Sequence, residues 1–263
     1  MRRCLIAATL AGVTLASGPG LAADTLLTLT PRPGVELRVV TDRPATPIGS
    51  VILLAGGSGV LDIDSQGRIQ KLAGNHLIRT RAAYVQAGYA MFAPDMASDV
   101  KGTQRYRFGT THAADIALVV AAARKVAAPV WLIGTSRGAV SAANHFVHQA
   151  SPLADGLVIS SGTLMRHNVP GAADTGDMGR VRVPVLLLRH RDDSCAGTPP
   201  ADADRFKALL VNAAKVDIVT LTGGGPRDSR SDPCEANHFH GFLGIEDQAV
   251  AATVAWMRAN AKR

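Results

Sequence analysis

Aromatic residues make up only 4% of this 263-residue chain, and its lysines and arginines form no run. Without basic stretches interleaved with aromatics there is no surface for stacking bases or tracking a phosphate backbone, which excludes nucleic acid as the partner. Internal repeats and low-complexity linkers are absent as well, so neither a solenoid nor a string of domains fits. No apolar run reaches a comfortable bilayer span. The glycine-rich stretch at 55–59 lacks the Gly-Lys-Ser/Thr that a phosphate loop needs. Cysteine is scarce, with three in the whole chain, so the position of each one matters.

What is present begins with a leader. Met1-Arg2-Arg3 is a short basic start, residues 4–17 are apolar, and Gly20-Leu21-Ala22 offers a small-x-small cleavage site. This is the pattern of a secretory signal peptide over residues 1–22, cut after Ala22 or Ala23. Cys4 precedes the apolar run, the reverse of a lipoprotein, and the Arg2-Arg3 pair alone does not choose an export route. Residues 23–263 suit one domain with a full-sized core. The formal charge falls from +7 to +5 when Arg2 and Arg3 leave with a leader that has no acidic residue. That spread-out surplus supports only mild attraction to anionic surfaces. The expected location is periplasmic or secreted, with no stable membrane insertion after cleavage. Cys195 and Cys234 are then the two cysteines left in a chain addressed to an oxidising compartment, and a disulfide between them is expected.

Residues 25–30 and 36–41 are rich in β-formers and are separated by Pro31-Arg32-Pro33-Gly34, which predicts two opening strands and a tight turn. Further strand patterns cover 50–54, 89–93, 130–133, 156–160, 184–188 and 216–221, and helical spacing covers 76–86, 111–126, 201–213 and 246–261. A polar loop with Gly and Pro fills 162–182, too short for a large lid. Strands alternating with helices predict an α/β domain, a mostly parallel sheet covered on both faces, with the opening hairpin as an antiparallel edge.

The most informative stretch is 129–143. A short apolar strand runs into Gly134-Thr135-Ser136-Arg137-Gly138, followed by small residues suited to a helix packed close to a sheet. A serine on such a strand–turn–helix corner is forced into a strained conformation that lifts its hydroxyl clear of the sheet, and its flanks must be nearly free of side chains. At these residues the chain resembles the α/β-hydrolase superfamily, in particular serine esterases and dienelactone-hydrolase-like members. The order of nucleophile, acid and histidine in that superfamily implies Ser136 as nucleophile, an acid after the 184–188 strand and a histidine near the C-terminus.

The resemblance names the remaining parts. Asp193 takes the acid role if His190 stands in the glycine place of a Gly-x-x-Asp turn, and Asp192 is the alternative. Asn237-His238-Phe239-His240-Gly241-Phe242 looks like the His-Gly-Phe segment of the superfamily, which implies His240 as base, with His238 second; the six other histidines read as solvent or packing residues. Zinc would need a third ligand beside the His-x-His pair, and none has the spacing. The oxyanion donors implied are the N–H of Arg137 and that of Gly57, with Ser58 next. The Arg137 side chain either faces the pocket mouth or pairs with a carboxylate. Such chemistry uses no cofactor and a small-molecule acyl substrate. Its implied outcome is ester cleavage through an acyl-enzyme; an amidase or peptidase, or a non-catalytic binding protein of the same fold, are the alternatives. A Cys195–Cys234 bridge would tie the acid loop to the base loop.

Overall fold

The computed structural model describes residues 24–100, 104–166, 171–226 and 228–261. The expected signal peptide lies outside the described residues, as does part of the 162–182 loop. The elements are β1 (Thr25–Arg32), β2 (Val35–Asp42), β3 (Ser50–Leu54), α1 (His76–Arg79), α2 (Arg81–Gln86), β4 (Ala90–Pro94), α3 (Thr110–Val126), β5 (Val130–Thr135), α4 (Gly138–Val147), β6 (Gly156–Ser160), β7 (Pro184–His190), α5 (Asp202–Leu209), β8 (Lys215–Leu221) and α6 (Glu246–Asn260).

They build one eight-stranded sheet in the order β1-β2-β4-β3-β5-β6-β7-β8. β1–β2 and β2–β4 are antiparallel; every pairing from β4–β3 to β7–β8 is parallel. The opening hairpin is thus the antiparallel edge. Along β3 the side chains alternate between two cores, with Ile52 and Leu54 on one face and Val51 and Leu53 on the other. α3, α4 and α5 cover the first face, and α1, α2 and α6 cover the second. A sheet buried on both faces needs continuously apolar strands, and β3, β4 and β6 are buried at every position.

Several boundaries depart from the sequence pattern by a residue or two, and three of them have a clear cause. The helix expected over 76–86 is two helices, broken at Thr80, whose hydroxyl donates to the His76 carbonyl at 2.7 Å and so competes with the helical ladder. α5 stops at Leu209 instead of 213; Val211 is 75% exposed, so no apolar face continues there. β7 runs two residues further than expected because Arg189 and His190 pair with Thr220 and Leu221 of β8. No helix among the described residues is long and apolar enough to cross a membrane.

The chain passes from β3 outward to β4 and returns across β3 to β5. Such a reversal opens a crevice at the carboxyl ends of the strands on either side of it. The loops after β3, β5, β7 and β8 all emerge at this edge.

Candidate active site

The corner after β5 is built by close approach. Ser136 has φ 52°, in the left-handed region that a residue with a side chain occupies only under constraint. The constraint is the crossing of strand and helix. A Cβ on Gly134 would lie 2.4 Å from the Gly138 carbonyl oxygen, and one on Gly138 would lie 2.0 Å from that of Leu54. Neither distance is sterically possible, so both positions must be glycine for α4 to start where it does.

Ser136 faces a cleft of about 430 Å³ that it shares with Gly57, Leu72, Asn75, His76 and His240, and Cys234 lies at its rim. His240 enters from the loop after β8 and is buried. Its Nδ1 lies 3.0 Å from Oδ2 of Asp193, itself buried, on the loop after β7. Asp193 also accepts hydrogen bonds from the Thr198 hydroxyl and from the Cys195 N–H, each at 3.0 Å. Thr198 Oγ1 is 3.1 Å from His240 Nδ1 as well, so the threonine braces carboxylate and imidazole together. With Nδ1 turned toward the carboxylate, Nε2 is the ring nitrogen left for the cleft.

The alternates sit elsewhere. Asp192 lies at the surface, its side chain 38% exposed, and bonds Arg191 at 3.0 Å, which holds its carboxyl below the ordinary carboxylate range. His238 is buried against Phe239 and does not line the cleft, and its carbonyl accepts from the Gly241 N–H. Ser58 is exposed, and its hydroxyl accepts from the Val60 N–H. Cys195 and Cys234 are disulfide-bonded, with Cα atoms 4.6 Å apart. His190, in the glycine place of the acid turn, is a packing residue. Its Nδ1 accepts from the Asp192 N–H, so Nε2 carries the proton and donates to the Gly223 carbonyl, while the ring stacks on Phe239.

Main-chain orientation around the cleft is equally defined. The Gly56 carbonyl accepts from the Gly59 N–H at 3.0 Å; carbonyl and N–H point oppositely across a trans peptide, so the Gly57 N–H is aimed the other way. The Ser136 carbonyl accepts from the N–H groups of Ala139 and Thr163, which orients the Arg137 N–H in the same manner.

Several residues in and behind the cleft were not legible in the sequence. Thr198, behind the imidazole, carries no motif of its own. Asn75 and His76 read as the start of a helix, yet Asn75 uses Oδ1 to cap that helix, which leaves its amide nitrogen turned elsewhere. His76 packs on Phe242, and burial, with the Arg79 charge nearby, lowers it to about 3, so it is neutral. Beyond Thr163, the described part of the 162–182 loop buries Ala173, Met178 and Val181 in the core beside α4. Among the described residues no group of three or more His, Cys, Asp or Glu could hold a metal ion.

No family model and no curated protein sequence matches the chain. Solved structures do match. A dienelactone hydrolase from Anabaena variabilis aligns with a TM-score of 0.60 at 15% identity, covering 91% of this chain and 99% of that one. A cold-adapted esterase from an Arctic intertidal metagenomic library has a TM-score of 0.60 at 17% identity, covering 90% of this chain and 93% of that one. A predicted CIB-like hydrolase from Thermoplasma acidophilum has a TM-score of 0.57 at 16% identity, covering 91% of this chain and all of that one. At such identities the likeness carries architecture and not activity. Sheet order, the corner after β5 and these structural matches together show that the chain has the α/β-hydrolase fold.

Proposed function

We propose that this chain is an exported serine hydrolase that cleaves carboxylic esters through an acyl-enzyme on Ser136. The observation that carries this reading is a single cleft walled by Ser136 in a left-handed corner and by His240, with the Asp193 carboxylate 3.0 Å behind the imidazole. In the proposed reaction the Ser136 hydroxyl attacks the acyl carbon while His240 Nε2 takes its proton. Asp193 holds the imidazole in the tautomer that leaves Nε2 free to accept and stabilises the imidazolium that forms. Charge developing on the acyl oxygen is received by the N–H groups of Gly57 and Arg137. Their carbonyl-anchored peptide planes support that role because a donor aimed before reaction costs no reorganisation. His240 then protonates the leaving alcohol, and the same base activates water for deacylation.

The lining of the cleft supports a substrate without a long aliphatic acyl chain, since Leu72 is its one large aliphatic side chain among glycine, alanine and polar residues. Export is proposed from the leader and is consistent with a bridge between Cys195 and Cys234.

A fluorophosphonate probe tests the reading. Purified protein should be labelled on Ser136, and Ser136→Ala should lose both label and ester turnover, the latter by about a thousandfold or more, with an unchanged melting curve. Retained turnover in Ser136→Ala would remove the nucleophile assignment. Faster cleavage of an amide than of the ester with the same acyl group would move the chain to the amidases.

A further inference from the structure

Behind the cleft lies a buried arginine that this chemistry does not use. Arg107 sits on the 3-10 turn Gln104–Phe108, between β4 and α3, and is 4% exposed. Its Nη1 donates to Ser141 Oγ at 2.7 Å and to the Arg137 carbonyl at 3.3 Å. Its Nη2 donates to the carbonyls of Ala55 and Gly57, both at 3.2 Å. One guanidinium therefore spans two separate pieces of chain, the loop after β3 and the corner after β5, through acceptors that are all neutral. A cation taken out of water without a carboxylate is costly. Burial and the nearby Arg137 charge pull it down to about 9, still high enough to stay protonated at neutral pH.

The surrounding chain is shaped to keep it there. Ser141, Asn144 and His148 fall on one face of α4 and its cap, and they hold the turn by Nη1, by the Gly109 carbonyl at 2.9 Å and by the Phe108 carbonyl at 3.0 Å. On the other side Gly59 has φ 75°, and a Cβ there would lie 2.2 Å from Nη2, so the loop passes the guanidinium only because that residue has no side chain.

We propose that Arg107 is a positioning residue for the oxyanion hole, its planar fork setting the distance between the backbone segments that present the Gly57 and Arg137 N–H groups. The proposal rests on the acyl-transfer reading above. Two donors from separate segments stabilise one oxygen only if they converge on it, so the relative placement of the segments controls the rate. A fork with two well-separated nitrogens can bridge them; the single nitrogen of lysine cannot.

The test is steady-state kinetics on a small activated ester, with melting curves, for Arg107→Lys and Arg107→Gly. Arg107→Lys, folded, should lose about ten- to a hundredfold in kcat with KM within about twofold, because misplaced donors forfeit transition-state stabilisation and leave ground-state binding intact. Added guanidinium ion at millimolar concentration should restore part of the kcat of Arg107→Gly and leave the parent unaffected; a merely structural arginine would shift melting without guanidinium-dependent kcat. Should the Arg107 variants fail to fold, Ser141→Ala decides, since it removes one anchor of Nη1 and should lower kcat about threefold at constant KM. A folded Arg107→Lys or Ser141→Ala with the parent kcat overturns the proposal. Failure of the acyl-transfer reading is distinguishable: the parent protein would then take no fluorophosphonate label and would not depend on Ser136, whatever Arg107 does.

Discussion

Asp192 and Asp193 are neighbours in sequence and opposites in environment. Asp193 is buried and its carboxylate accepts from Cys195, Thr198 and His240; Asp192 lies at the surface against Arg191. An exposed pair of this kind is screened by water and contributes little. Asp193→Asn should therefore cost about a thousandfold or more in kcat, by presenting the wrong tautomer of His240, while Asp192→Asn should stay within about threefold. Ester kinetics on the two single variants read this directly, and equal losses would refute it. The same comparison applies to the two histidines, where His240→Ala should match the loss in Ser136→Ala and His238→Ala should chiefly lower the melting temperature. The glycine-flanked serine was legible in the sequence because its constraint is local, a corner whose neighbours cannot carry Cβ atoms. Thr198, Asn75 and Arg107 were not, because each reaches the site from a segment whose own pattern carries no sign of it.

At the scale of elements, the bridge from Cys195 to Cys234 joins the loop after β7 to the loop that delivers His240. The bonded cysteines are 39 residues apart, and closing a loop of that size contributes about 4 kcal/mol on the chain-entropy model. Cys195 also donates its N–H to Asp193, and Cys234 lines the cleft, so the bridge spans the proposed acid and the substrate wall. Cys195→Ser combined with Cys234→Ser should lower stability by a few kcal/mol in urea melts, on the order typical of native disulfides. Its kcat should also fall well below the melting temperature, because a small misplacement of acid and base is costly in rate. Unchanged stability and unchanged rate together would separate the bridge from catalysis. Identity of the two partners was expected from the cysteine count and the leader pattern; the contact between their loops needed β7 and β8 to be adjacent in the sheet.

The whole molecule carries buried imidazoles that burial holds neutral. His76 and His112 are lowered to about 3 and His145 to about 4, against 6.5 in an open chain. His145 needs that state, since its Nε2 accepts the Ala154 N–H. Between those folded values and 6.5 the unfolded chain binds more protons than the folded one, so stability is full above about 6.5 and falls as pH drops toward 4. Asp115, raised by burial, opposes this in a lower window just above 3.8. Each histidine contributes a slope of up to about 1.4 kcal/mol per pH unit. Chemical denaturation at pH 7, 6, 5 and 4 should show the loss, and His112→Gln should flatten the slope by one proton. An unchanged slope in that variant would mean His112 titrates normally.

Alternation of apolar strands with helices, the glycine-flanked serine and the segment before Gly241 were decided by the sequence alone, because period, turn chemistry and steric exclusion act over a few residues. The register that brings Asp193 to His240 across 47 positions was decided only by the tertiary structure. So were the burial of one of two adjacent aspartates and the guanidinium shared by two segments. Each is a matter of burial and hydrogen-bond partners, and partners that approach from other strands exist only once the sheet order and the helix packing have placed them.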